Sequence, residues 1–179
     1  MIRTGFFRRA VLSIVALVWF SAQVGAVGFD SDFDEEEKPW REIEVQLPTF
    51  PESANLIPFK VGSVSDKKFM VDGNSISVGA DGVIRYTLVI VSDSGAQNIS
   101  YEGMRCLTGE RRVYAFGRSD KTWSRARSNA WTKIRGGTND YRIDLFANFF
   151  CIIDAPTLRD AEDVRRVLRS GGATSEMRP

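Results

Sequence analysis

The sequence predicts an α+β domain: an antiparallel β-meander sheet with two C-terminal helices packed on one face, and one disulfide. Three observations predict it. From about residue 59 to residue 118 the chain is a series of short β-rich runs broken by Gly, Asp and Asn. Over residues 139–172 the apolar spacing changes from alternation to a helical period. Only two cysteines occur, Cys106 at the end of a strand run and Cys151 at the end of the first helical segment.

Residues 1–26 read as a cleavable signal peptide. Arg3, Arg8 and Arg9 precede "AVLSIVALVWF", a run of about eleven residues, too short for the ~20 that cross a bilayer but long enough for a leader core. "SAQVGA" follows, with Val24 and Ala26 where a signal peptidase reads small residues, so the mature chain is expected to be 27–179 with no membrane span. The residues around Arg8 and Arg9 fit the twin-arginine consensus poorly, which favours the general secretory route. Export, to a periplasm or beyond, changes what cysteines do: outside a reducing cytosol they pair, and two cysteines allow one intramolecular bridge. Closing a loop of that length is worth about 4 kcal/mol in the chain-entropy account. A free catalytic thiol has no support, because no histidine is present to activate it.

Residues 27–44 form an acidic stretch expected to be a flexible, solvated arm, since 30–44 holds eight acids and two bases without a hydrophobic period; the alternative is attraction to the basic segment 106–135, disfavoured because exposed ion pairs contribute only ~0 to 1 kcal/mol each. A single domain is expected over 45–172. Pro48, Pro51 and Pro58 in "LPTFPESANLIPF" suit neither helix nor central strand and predict an extended strap, anchored by Trp40, Phe50 and Phe59. The strand runs are "FKVGSV", "KKFMV", "SISVG", "GVIRYTLVIVS", "NISYEGMRCL" and "RRVYAFGR", with turns at "DGN", "GADG", "SDSGAQ" and "TGE". Residues 83–91 are apolar at nearly every position, as in a central strand covered on both faces, with Arg85 near an end. Tyr141, Leu145 and Phe149, with Phe146 and Phe150 beside them, predict a helix ending near Cys151. Pro156 suits the first turn of a second helix whose apolar stripe is Leu158, Ala161, Val164, Val167 and Leu168, ended by Gly171 and Gly172. Residues 173–179 read as a disordered tail.

With no histidine, imidazole-based serine, cysteine and zinc sites are excluded, and two cysteines cannot make a zinc site. "SGGATS" follows a helix and lacks a P-loop lysine, so it reads as a helix terminator. No metal or cofactor is expected. Asp72 and Asp81 sit in turn sequences that explain them without catalysis. Glu102, between Tyr101 and Gly103, is the acid least readily explained by backbone shaping, and it carries the alternative of a carboxylate-dependent hydrolase acting on envelope glycans.

The leader removed, 21 bases (24 less three arginines) face 23 acids, so net charge points to no partner. Its distribution does. Residues 106–135 hold eight bases, four aromatics and two acids. In an extended strand Arg112, Tyr114, Phe116 and Arg118 share one face, and with Trp123, Arg125 and Arg127 they form a candidate binding surface for phosphates or carboxylates. The other reading makes Tyr114, Phe116, Trp123 and Trp131 core or rim aromatics under arginine stems. Export argues against nucleic acid as the partner.

"KPW" with "LPTFP", "LIPF", "SISVGADGVIRYTLVIVS", "NISYEGMRC", "RVYAFGRSD", "FFC" and "APTLRDAEDVRRVLRSGG" together resemble the cryptic neisserial protein family, exported proteins of Gram-negative bacteria. The resemblance runs from about residue 39 to residue 172. It implies export, one domain, and family motifs around both Cys106 and Cys151, and it brings no catalytic residues. The expected function is that of a non-catalytic envelope binding or interaction module, whose partner is an envelope protein or an anionic polymer.

Overall fold

Short polar breaks turn the chain back on itself, and the β-rich runs between them pair antiparallel. A computed structural model describes residues 39–62, 66–136, 140–152 and 158–172, and these described residues belong to one compact unit. The leader, the arm up to residue 38, Pro156 and the tail lie outside the described residues. The strands are β1 (Leu56–Phe59), β2 (Lys68–Val78), β3 (Val83–Val91), β4 (Gln97–Arg105), β5 (Glu110–Gly117), β6 (Trp123–Arg125) and β7 (Thr132–Lys133). They make one sheet in the order β1 to β6, with β7 also pairing β5. Between β2 and β3 the Gly79 N–H donates to the Val83 carbonyl, and Gly82 turns at a φ of 74°, which a side chain resists.

Two boundaries differ from expectation. "KKFMV" and "SISVG" are one strand, β2, because side chains bridge the irregularity at "DGN". The Asp72 carboxylate accepts from the Asn74 N–H, and the Ser75 hydroxyl donates to the Asp72 carbonyl while accepting from the Thr87 N–H of β3. Burial, which outweighs these hydrogen bonds, raises the Asp72 pKa. Of "FKVGSV" only Phe59 is in a strand among the described residues: β1 begins earlier, at Leu56, and includes Pro58, which an edge position tolerates because one side of the strand needs no ladder donor.

β3 lies between β2 and β4 and is buried from Val83 to Val89, as its apolar run requires. Antiparallel partners share a face, so Ile84, Tyr86 and Leu88 line up with Val71 of β2 and Met104 of β4. These residues join Leu145, Phe149, Phe150, Val164 and Leu168 in the main core cluster. A smaller cluster holds Tyr101, Tyr114 and Ala115, with Val45, Leu47 and Trp123 against it.

Helix α1 (Tyr141–Asp144) starts at Asp140, whose carboxylate accepts from the Arg142 N–H, and runs into a π-helical segment over Leu145–Phe150. A regular helix was expected. Bonding to the fifth residue on, as in Cys151 N–H to the Phe146 carbonyl, stacks residues four and five apart, and so Leu145, Phe149 and Phe150 are all buried. Helix α2 (Ala161–Arg169) starts later than the Pro156 reading had it, because Asp160 caps it by accepting from the Glu162 and Asp163 N–H groups. Cys106 and Cys151 are bridged, their Cα atoms 5.2 Å apart, which ties the β4–β5 turn to the end of the π segment.

Candidate functional site

A β-bulge divides the surface that alternation along β5 had placed on one face. Tyr101 of β4 pairs with Ala115, but the next residue, Glu102, pairs with Val113, so Tyr114 is an extra residue in β5. One inserted residue reverses the alternation. Arg112 and Tyr114 therefore lie on the Tyr101 face, while Arg111, Val113 and Phe116 lie on the Glu102 face. Arg112, Tyr114, Phe116 and Arg118 do not form a single binding face.

On the Tyr101 face the strap supplies a ligand for the arginines. Arm residues from Pro39 onward, read as flexible up to Glu44, are docked on the sheet. Trp40 Nε1 donates to the Asp81 carbonyl over 2.8 Å, the Ile43 N–H donates to the Asp81 carboxylate over 3.1 Å, and Trp40 lies under the Arg105 guanidinium. The Glu42 carboxylate accepts from Tyr114 Oη at 2.5 Å, from Trp131 Nε1 at 3.3 Å and from Arg112, with Arg85 Nη2 3.5 Å away. Arg85 in turn grips Asp81 through both terminal nitrogens, at 2.6 and 3.2 Å. Burial works against ionisation of Asp81, yet Arg85 and the Ile43 and Val83 N–H groups hold its carboxyl below the usual carboxylate range. Desolvation and the Glu42 carboxylate push the Tyr114 phenol far up, so it remains a donor. Trp123 is a rim aromatic: its Nε1 donates to the Pro48 carbonyl and its ring meets Phe50 and Tyr101. Phe50 and Trp40 anchor the strap, whereas Phe59 belongs to β1.

Gly103 permits this packing. A Cβ there would sit 2.9 Å from two carbons of the Tyr114 ring. Gly103→Ala is expected to shift Tyr114 off Glu42 and to speed protease cleavage within residues 39–47; an unchanged cleavage rate would show that the strap is held without Tyr114.

On the Glu102 face, β5 and the segment leading from β6 to β7 enclose an open groove of about 560 Å³. Arg111, Val113, Phe116, Ser124, Arg125 and Arg127 line it, and Phe116 is 46% exposed. The segment bows out because β6 pairs with residues 115–117 and β7 with 110–111, leaving the middle of β5 without a strand partner on that side. Arg118 stands beside the groove and donates to the Ser124 hydroxyl at 3.2 Å. Glu102 is 1% exposed: it accepts from the Ser100 hydroxyl at 2.7 Å, from Tyr86 Oη at 3.2 Å and from Arg111 Nη1 at 3.4 Å. Its geometry makes it the fixed anchor of a groove arginine.

A family model matches residues 35–169, more than half of the chain. The chain belongs to the CNP1-like family. No curated protein and no solved structure matches it. Membership in the CNP1-like family covers the whole described sheet, the strap and both helices, and it leaves activity to be read from the site. In this family member Phe116, Arg118, Arg125 and Arg127 are exposed, while Arg112, Tyr114 and Trp123 are engaged by the strap. Glu42, Asp81, Arg85 and Trp131 were missed as a cluster. The available signal was Arg85 itself, since a cation inside an apolar central strand demands a buried anion. No cluster of metal-ligating side chains and no helix long and apolar enough to cross a membrane occurs among the described residues.

Proposed function

We propose that this chain is a non-catalytic binding module of the cell envelope, exported by its leader, that holds an anionic component in the groove between β5 and the β6–β7 segment. One observation carries this reading: Arg111, Arg125 and Arg127 line an open groove that contains a half-exposed Phe116 and no carboxylate among its lining residues. Arg125 and Arg127 make no ion pair among the described residues, so their charge is available to a ligand. Guanidinium groups suit phosphate and carboxylate, and an exposed ring adds an apolar or sugar-stacking surface. In the same reading α1 and α2 share the Tyr86 face of the sheet and the strap covers the other, which leaves the outer side of β5, where no strand pairs residues 112–114, as the open site.

Glu102, on which a glycan-hydrolase reading depends, is enclosed and engaged by three donors, so binding has the stronger support. The test is retention on immobilised polyphosphate and on envelope fractions. Arg125→Glu with Arg127→Glu is expected to weaken both at least ~10-fold, about 1.4 kcal/mol, and to flatten the salt dependence. Retention equal to that of the parent would remove the groove from consideration.

A further inference from the structure

We propose that the cleft formed by Arg85, Arg112, Tyr114 and Trp131 is a carboxylate-recognition site for an acidic extended peptide of a partner protein, occupied in the free protein by the chain's own Glu42. This site lies on the Tyr101 face and does not depend on the groove reading. Four donor groups from β3, from β5 and from the segment before β7 converge on one carboxylate, with hydrogen bonds from Tyr114 and Trp131 of 2.5 and 3.3 Å. Guanidinium, phenol and indole donors converging on one carboxylate recognise it by hydrogen-bond direction as well as by charge.

The occupant is also held by Trp40 and Ile43 at Asp81 and by Pro48 and Phe50 at Trp123, yet these contacts do not enclose it. Residues 39–50 form no strand or helix, none of them is buried, and Ile43 is 46% exposed. The receptor side has capacity left over: Nε of Arg85 and Nε of Arg112 are buried without a partner, and Arg85 is 3% exposed. Beside Glu42 a second cavity of about 370 Å³ opens between the strap, which contributes Glu42 and Glu44, and the sheet side, which contributes Arg112, Tyr114, Arg125 and Asn129. A second carboxylate can therefore reach Arg112 before Glu42 has left, and displacement proceeds without a bare, desolvated arginine pair. A strap that fits the cleft in cis also defines the ligand: an extended segment whose recognised glutamate follows an arginine and precedes an apolar residue, as Arg41, Glu42 and Ile43 do in "WREIEVQL".

The probe is a synthetic peptide of residues 39–50, labelled and titrated into full-length protein and into its Glu42→Ala and Glu42→Gln variants, each first shown by circular dichroism to be folded. Vacating the cleft removes the internal competitor, so both variants are expected to bind the peptide at least ~10-fold more tightly than the parent. The same peptide with glutamine at the position of Glu42, or an Arg112→Gln background, is expected to lose that gain. Absence of peptide binding by both folded variants, or binding indifferent to the glutamine and to Arg112→Gln, would overturn the proposal and make Glu42 a permanent clasp. Arg125 lines both cavities, so polyphosphate retention of a single Arg127→Glu variant, a residue that lines the groove and not the cavity beside Glu42, is measured in parallel and keeps the two readings separable.

Discussion

Replacing Cys106 and Cys151 together by alanine is expected to lower the unfolding free energy by about 4 kcal/mol, read from urea denaturation of oxidised parent and variant at pH 7. The bridge closes a separation of 45 residues, and the denatured chain without it regains the corresponding loop entropy. That amount is a large share of the 5 to 15 kcal/mol typical of a domain. Its location adds a local effect. Cys106 sits in the β4–β5 turn and Cys151 just after Phe149 and Phe150, which pack against Phe59 and Tyr86, so the loss is expected to appear first as faster amide exchange in the π segment. A difference below about 1 kcal/mol would mean that the denatured chain without the bridge is already restrained, so that the bridge removes little loop entropy.

Arg85→Met is expected to cost about 3–5 kcal/mol, because it leaves Asp81 and Glu42 enclosed without their shared cation. The side chains of Arg85 and Asp81 are 4% and 1% exposed, and the nitrogen to oxygen distance is 2.6 Å. The pH dependence identifies the cause. With its folded pKa below the unfolded value, Asp81 contributes stability that is present above the unfolded pKa, near 4, and lost as pH falls through the folded pKa. In Arg85→Met, burial of the Asp81 carboxylate is opposed only by the Ile43 and Val83 N–H groups, so the acid-dependent fall in stability below about pH 5 should shrink or reverse. Equal slopes for parent and variant would place the loss in packing around Tyr114 instead.

Individual residues show why some of this molecule was legible in sequence and some was not. Gly82, Gly95 and Gly109 marked true turns, since each adopts a positive φ that only glycine takes easily. "DGN" carries the same kind of residues and yet continues a strand, because Asp72 and Ser75 side chains take over backbone hydrogen bonds across the irregularity, an arrangement that needs Thr87 of the next strand. Tyr114 was legible as an aromatic among arginines but not as a bulge, and that single extra residue decides which arginines face the groove and which face the strap. Glu42 was one acid among eight in an acidic stretch. Only the approach of Arg85, Arg112, Tyr114 and Trp131, the last 89 residues away, distinguishes it from its neighbours.

Local chemistry determined the strand series, the central place of β3, the apolar stripe of α2 and the pairing of the two cysteines, because each follows from nearest neighbours along the chain or from simple counting. Tertiary structure decided the division of the basic segment into two faces, the docking of the strap and the enclosure of Glu102. Those depend on strand register and on partners far apart in sequence, and a one-residue change of register reverses every side chain beyond it.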